Sequence, residues 1–246
     1  MNLSERLRKI FDMVTPGSRI ADVGCDHGYL SIALIEEKIA VHAIAMDVAK
    51  GPLSTAQENI RLHGLDERIE TRLSDGLAKL KQGEADCVIL AGMGGILMRR
   101  ILQAGLPVLE GIQELILEPQ SEYEEVRRFL ADHGFVIDRE DMVTEERKFY
   151  PIIHARPGEP AAADPAAYTL SIPFEKDMAV QLVLAYGPCI LEMRHPVLLR
   201  YLDRRSEIIH GIEAQLKSKD TAHAKERLLE IEAEKLRIRE ARRYFV

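Results

Sequence analysis

The residues Ile20-Ala21-Asp22-Val23-Gly24-Cys25-Asp26-His27-Gly28-Tyr29-Leu30 set an acid, a glycine turn and a second acid between an apolar strand and the start of a helix. At Gly24 the backbone can turn tightly and come close to a ligand, and Gly28 lets the helix start pack against the strand. The unbonded N–H groups of that helix start would favour an anion such as a carboxylate. A second strand ends at Met46-Asp47, 25 residues beyond Asp22. A carboxylate there can accept both hydroxyls of a ribose. The third strand ends in Leu73-Ser74-Asp75-Gly76. Asp75 can accept an adenine amino group there, although Asp-Gly is also a common turn pair. Three acids at three successive strand ends describe a site for a ligand carrying an adenosyl group. A dinucleotide's pyrophosphate usually calls for G-x-G-x-x-G, and only Gly24 and Gly28 are present. After a fourth apolar run comes Ala91-Gly92-Met93-Gly94-Gly95. Such a loop either lets the backbone approach a flat acceptor or serves as a flexible turn before the next helix.

These residues need a scaffold that brings strand ends together. Leu3, Leu7, Ile10, Phe11 and Val14 have the spacing of an amphipathic helix, closed by Pro16-Gly17. Strands are then predicted at 19–23, 40–46, 69–73, 87–91 and 114–117, with helices at 28–37, 52–63, 96–104 and 122–133. This alternation predicts crossover connections and an α/β fold with a doubly wound, mainly parallel sheet. Residues 135–141 and 149–155 read as two strands with no helix between them, a hairpin at the sheet edge. The expected catalytic domain spans 1–158, and 159–193, with its Pro- and Ala-rich start, reads as a connecting region. Residues 194–246 are expected to form a helical hairpin or coiled coil. Leu198, Leu202, Ile209, Ile212 and Leu216 make its first stripe, with Arg205 in one polar slot. Leu228, Ile231 and Ile238 make the second, with Lys235 between them and Asp220 as the expected N-cap.

The net charge of −7 is uneven: residues 194–246 carry 13 Lys and Arg against 9 Asp and Glu, while the rest carries 20 against 31. An acidic body with a basic tail allows a nucleic-acid partner that touches the protein locally. Cations available for it include Arg6, Arg8, Lys9, Arg99, Arg100, Arg204, Arg205, Lys217, Lys219, Arg237, Arg239, Arg242 and Arg243. Cys25, Cys87 and Cys189 form no CxxC pair and read as small buried hydrophobes of a reducing compartment. Neither a signal peptide nor a membrane-spanning run is found, and the expected location is the cytoplasm.

The D-x-G-x-x-x-G frame resembles the first motif of class I methyltransferases, D/E-x-G-x-G-x-G, departing from it by Asp26 in the middle glycine position. Taken with Asp26-His27-Gly28-Tyr29-Leu30, Gly92-Met93-Gly94-Gly95 and the C-terminal hairpin, the whole chain resembles the bacterial tRNA (adenine-22, N1)-methyltransferase family. The resemblance implies a Rossmann-like catalytic domain, S-adenosyl-L-methionine as methyl donor and N1 of a D-loop adenine in tRNA as acceptor. The family's motif residues fall on Asp22, Gly24, Asp26, His27, Gly28, Tyr29, Met93, Gly94 and Gly95. With the strand-end residues read above, the expected cofactor residues are Asp22, Gly24, Gly28, Asp47, Asp75, Gly76 and Gly92, and those of the transfer site are Asp26, His27, Tyr29, Met93 and Gly94. No metal is expected.

Adenine N1 has a free in-plane lone pair, so its attack on a methyl sulfonium needs no obligatory general base. Orientation, desolvation and tolerance of a cationic product remain for the protein to supply. Asp26 either faces the methyl group and favours that cation or caps the helix. His27 either orients Asp26 or contacts phosphate, or has no role. Tyr29 either stacks on the flipped base or packs in the first helical turn. A methyltransferase of another RNA, a protein or a small molecule, and a non-catalytic adaptor with a vestigial cofactor fold, are the competing readings. A monomer is expected, although the hairpin could also pair with a second copy.

Overall fold

The computed structural model describes residues 3–218 and 221–246. The chain divides into two compact units, Met1–Asp164 and Pro165–Val246. The first opens with helix α1 (Glu5–Met13), capped by Ser4, whose Oγ accepts the Leu7 N–H at 3.3 Å. Strand β1 (Ser18–Val23) then leads into α2 (Tyr29–Glu36), β2 (Ala40–Asp47) into α3 (Lys50–Leu62), and β3 (Ile69–Leu73) onward to β4 (Cys87–Met93). Helices α4 (Gly95–Ala104) and α5 (Leu106–Leu109), strand β5 (Glu114–Pro119) and helix α6 (Tyr123–Asp132) follow. Strands β6 (Phe135–Glu145) and β7 (Lys148–Pro157) and the short helix α7 (Pro160–Ala163) complete the unit.

Among the described residues these strands form one seven-stranded sheet, ordered β3-β2-β1-β4-β5-β7-β6. Strands β1 to β5 pair in parallel, and β7 runs antiparallel to both β5 and β6. The order reverses between β1 and β4, so the crevice for a ligand opens at the C-terminal ends of those two strands. Helices cover both faces, as the continuous apolar runs of the central strands require. Ile20, Ala21, Val88, Ile89, Leu115 and Ile116 are fully buried, and each large aliphatic side chain so placed contributes about 1.5–3 kcal/mol.

At the opposite end of the sheet the buried Glu114 accepts the Thr15 N–H (3.0 Å) and the Thr15 hydroxyl (2.6 Å). His154 Nε2 lies 2.8 Å from the same carboxylate, and His154 Nδ1 contacts Asp138. Burial alone would raise the Glu114 carboxyl, but the His154 and Thr15 hydrogen bonds hold it down at about 2. The unfolded chain therefore binds this proton more readily, and stability gained above about pH 4.5 is lost as pH falls toward 2. Denaturation midpoints measured across that window should fall steeply for the wild-type protein and less steeply for Glu114→Gln. Parallel curves would remove Glu114 from the acid limb.

The second unit begins with a 3-10 turn at Pro165–Ala167 and helices α8 (Lys176–Tyr186) and α9 (Pro188–Glu192), in the stretch read from sequence as connecting. Helices α10 (Pro196–Lys217) and α11 (Ala222–Arg242) then pack on one another. Leu198, Leu202, Ile209, Ile231 and Ile238 are buried as the stripes predict, with Ala224 and Ala241. The polar slots hold ion pairs. Arg205 grips Glu234 through two bonds at 2.5 and 3.0 Å, and Lys235 meets Glu213 at 3.2 Å. Thr221 caps α11, accepting the Ala224 N–H at 3.1 Å, while Asp220 lies outside the described residues. No helix among the described residues is long and apolar enough to cross a membrane.

Candidate active site

Asp22 lies one residue before the C-terminal end of β1; its side chain is buried and accepts the Ser31 hydroxyl at 2.7 Å. Burial pushes the Asp22 carboxyl up to about 6; the Ser31 bond opposes this and the Asp47 charge adds to it. The folded protein therefore binds this proton more readily than the unfolded chain, so stability falls as pH rises from about 4 to 6 and stays lowered above that. Asp22→Asn should raise the melting temperature of the ligand-free protein at pH 7.5 and weaken cofactor binding. A melting temperature at or below wild type would show that the buried charge costs nothing.

Gly24 (φ +78°) turns the chain under β4: a Cβ there would lie 2.4 Å from Met93 Cε. Its N–H and that of Cys25 donate to the Met46 carbonyl at 2.8 and 2.9 Å, tying the turn to β2. Asp26 also has positive φ, +51°. This explains the departure from the usual motif: the middle position needs a left-handed backbone, and Asp is among the few side-chain-bearing residues that tolerate it. Asp26 does not cap α2. The cap is Gly28 (φ +74°), without a side-chain bond, and a Cβ on Gly28 would press on Ala56 of α3 at 3.2 Å. The cap residue thus puts no side chain on the first amides of α2, although the Asp22 carboxylate accepts from the Ser31 backbone N–H as well as from its hydroxyl.

Asp47 closes β2 with its carboxylate held by two backbone donors, Asp26 N–H at 3.3 Å and Ala49 N–H at 2.8 Å. Two of the sequence-predicted acids are therefore physically linked. His27 is anchored through its carbonyl, which accepts from Asn59 Nδ2 at 3.0 Å, and its Nε2 lies 3.5 Å from Asp26 Oδ1. Its Nδ1 is buried without a partner. Tyr29 begins α2 with 44% of its surface exposed, its ring centroid 5.7 Å from that of His27. It is not buried in the first turn of the helix.

A cavity of about 330 Å³ brings together Asp22, Gly24, Asp26, His27, Tyr29 and Gly92. Its lining is completed by Arg6, Leu7, Cys25, Leu30, Ala91 and Gln120. Met93 sits over Gly24, and Gly94 is the N-cap of α4. Gly95 must stay small because a Cβ there would come within 2.5 Å of the Ser121 carbonyl. Gly28, Asp47, Asp75, Gly76, Met93 and Gly94 do not line this cavity. Asp75 is exposed at the end of β3, and Gly76 is buried with space for a Cβ closed by Ile101 at 2.8 Å.

Ser31, Glu118 and the lining residue Gln120 were not singled out in the sequence. Ser31 holds Asp22 from the first turns of α2. Glu118, fully buried near the end of β5, accepts the Gly92 N–H at 2.7 Å and Arg6 Nη1 at 2.8 Å. An acid closing the apolar run Leu115-Ile116-Leu117 was the available signal for it. Arg6 itself, expected from sequence among the cations open to RNA, is engaged by Glu118 and Glu145; Arg8 pairs with Glu37 and Lys9 with Asp141. Arg6 is thus committed to a buried partner, while Arg8 and Lys9 form exposed pairs that contribute little to stability. Arg99 lies 3.7 Å from Glu125, and Arg100 is exposed.

A family model described as a methyltransferase domain matches residues 3–153. The tRNA (adenine(22)-N(1))-methyltransferase of Bacillus subtilis is 29% identical over 94% of this chain and 93% of its own. The crystal structure of the B. subtilis tRNA (m1A22) methyltransferase superposes with a TM-score of 0.86, over 98% of both chains. A Streptococcus pneumoniae protein provisionally named a tRNA (m1A22) methyltransferase, solved with S-adenosyl-L-methionine, is 30% identical with a TM-score of 0.79, over 98% of this chain and 99% of that one. With the strand order, the glycine turn below Met93 and the acids at β1 and β2, these findings agree with what the sequence implied: the chain belongs to the class I methyltransferases, in the family of the bacterial tRNA (adenine-22, N1)-methyltransferases.

Proposed function

We propose that the protein transfers the methyl group of S-adenosyl-L-methionine to N1 of the adenine at nucleotide 22 of tRNA, the position named for its B. subtilis relative. One observation carries the reading: the cavity beneath the glycine loop joins the acidic end of β1 to Asp26, His27 and Tyr29. The residues fit the donor. A side chain at Gly24 would fill the turn against which it must lie, and the cap residue of α2 has no side chain to compete with its carboxylate. When bound, the cofactor supplies an electrophilic methyl on a sulfonium.

The chain's own residues do the rest. Asp22 presents a negative charge to the ammonium of the methionine moiety, and the α2 amides receive its carboxylate. Asp47, already oriented by two backbone N–H groups, accepts the ribose hydroxyls. Asp75, exposed two residues beyond β3, accepts from the adenine amino group of the cofactor. Gly92 and Gly94 leave room for the flat acceptor beside Met93. Tyr29 offers its ring as a stacking face for a base taken out of its pairing, worth about 1–3 kcal/mol. Asp26, steadied by His27, accepts from the N6 amino group and favours the cation formed when N1 gains the methyl. Attack by a neutral nitrogen calls for no base and no metal, and we take the protein to act as a cytoplasmic monomer. Nucleoside mass spectrometry of undermodified bacterial tRNA, incubated with the protein and labelled donor, should reveal labelled 1-methyladenosine. Label in another nucleoside, or in no nucleoside despite measurable donor binding, would refute the assignment.

A further inference from the structure

The glycine-rich end of β4 is tied to a helix more than eighty residues earlier in the chain through one buried carboxylate. Glu118 Oε2 receives two donors, the Gly92 N–H at 2.7 Å and Arg6 Nη1 at 2.8 Å. The Glu118 side chain is fully buried, and its Oε1 has no hydrogen-bond partner. Arg6 reaches it from α1, with Nε 3.3 Å from Glu145 Oε2 on β6 and its guanidinium 5.5 Å from the centre of the Tyr150 ring on β7. Arg6, its neighbour Leu7 and Gly92 all line the cavity. Resting on the function proposed above, we infer that Arg6 and Glu118 are positioning residues for methyl transfer: the pair clamps α1 to the backbone of Gly92 and so fixes the loop on which the acceptor base must lie.

A buried carboxylate is retained only where charge and hydrogen bonds offset its desolvation. Here the offset comes from only two donors, because Oε1 is left without one. Burial pushes the Glu118 carboxyl up, while Arg6 and the Gly92 N–H pull it back. Without Arg6, one backbone amide alone would support a buried anion, which would then favour its neutral form and relax its grip on the loop. Gly92 (φ +76°) sits at the irregularity of β4 between the Ala91–Glu118 and Met93–Pro119 pairs, and its N–H goes to the Glu118 carboxylate. An acceptor base displaced by about 1 Å can cost roughly a hundredfold in rate. The clamp touches neither Asp22 nor Asp47 and meets the expected cofactor residues only at the Gly92 backbone, so donor affinity should change far less than kcat.

The test uses the full-length protein with Glu118→Gln, Arg6→Met and the conservative Arg6→Lys. Glu118→Gln keeps shape but sets an amide opposite the guanidinium. For Glu118→Gln and Arg6→Met, kcat at saturating tRNA and donor should fall about tenfold or more, as expected for impaired orientation, with the donor Kd within about twofold of wild type. Arg6→Lys should recover part of kcat, because an ammonium restores the charge but not the forked geometry. Hydrogen exchange of the peptide containing Gly92 should speed up in both disrupting variants, a readout that needs no activity. An inactive wild-type enzyme would refute the functional reading alone, and the exchange result would still test the clamp. Wild-type exchange at Gly92, or effects confined to the tRNA KM with kcat unchanged, would overturn the clamp. Where Arg6→Met fails to fold, Glu118→Gln and Arg6→Lys carry the same test.

Discussion

Asp26→Asn is expected to cut turnover by about a hundredfold, the scale of removing one preorganised electrostatic group from an active site. Donor affinity should change little. The substitution isolates charge from shape: Asn tolerates the left-handed backbone that this position adopts (φ +51°), and the Asp26 N–H that donates to Asp47 is untouched. The carboxylate is 69% exposed, so its field is screened by water. A docked base would exclude that water, and the same charge would then act on the cation formed at N1. Single-turnover rates with calorimetric donor titrations would measure both quantities. Wild-type turnover in Asp26→Asn would reduce Asp26 to a turn residue.

The second large effect is expected on tRNA affinity. Replacing Arg200, Arg204 and Arg239 with Gln should weaken binding and flatten its dependence on salt, by up to about 0.7–0.9 in log–log slope for each phosphate that is no longer neutralised. All three side chains are exposed on the helical hairpin, Arg239 by 74%. Arg205 is a control of a different kind. Read from sequence as one of the basic residues of the tail, it is committed to Glu234 on the facing helix. Arg205→Gln should therefore lower hairpin stability and leave the salt slope near wild type. Superimposable salt curves for the triple variant and wild type, at equal helicity, would move the RNA surface off the hairpin.

The contrast between Arg204 and Arg205 shows where sequence reading stops. Local periodicity set Arg205 in the polar slot of the first stripe and Arg204 outside it, yet left both among the cations open to RNA; only the facing helix shows that Arg205 is committed to Glu234. The acids at Asp22 and Asp47 were legible because a parallel sheet delivers successive strand ends to one edge. The hairpin stripes were legible because burial follows the helical repeat. Glu118 and Arg6 were not, since 112 residues separate them and their pairing exists only after β5 lies beside β4. Helix α8 was missed because its apolar residues, among them Val180, Leu182, Val183 and Leu184, are not gathered on one face. The left-handed turn at Asp26 explains a motif departure that composition alone left ambiguous between a cap and a catalytic group.

The assigned acceptor is tested most sharply by two tRNA transcripts that differ at one position, adenine or guanine at nucleotide 22, each given the protein and labelled S-adenosyl-L-methionine. One labelled methyl is expected on the adenine-bearing transcript, recovered as 1-methyladenosine, and none on the other. Equal labelling of both transcripts would contradict the assignment.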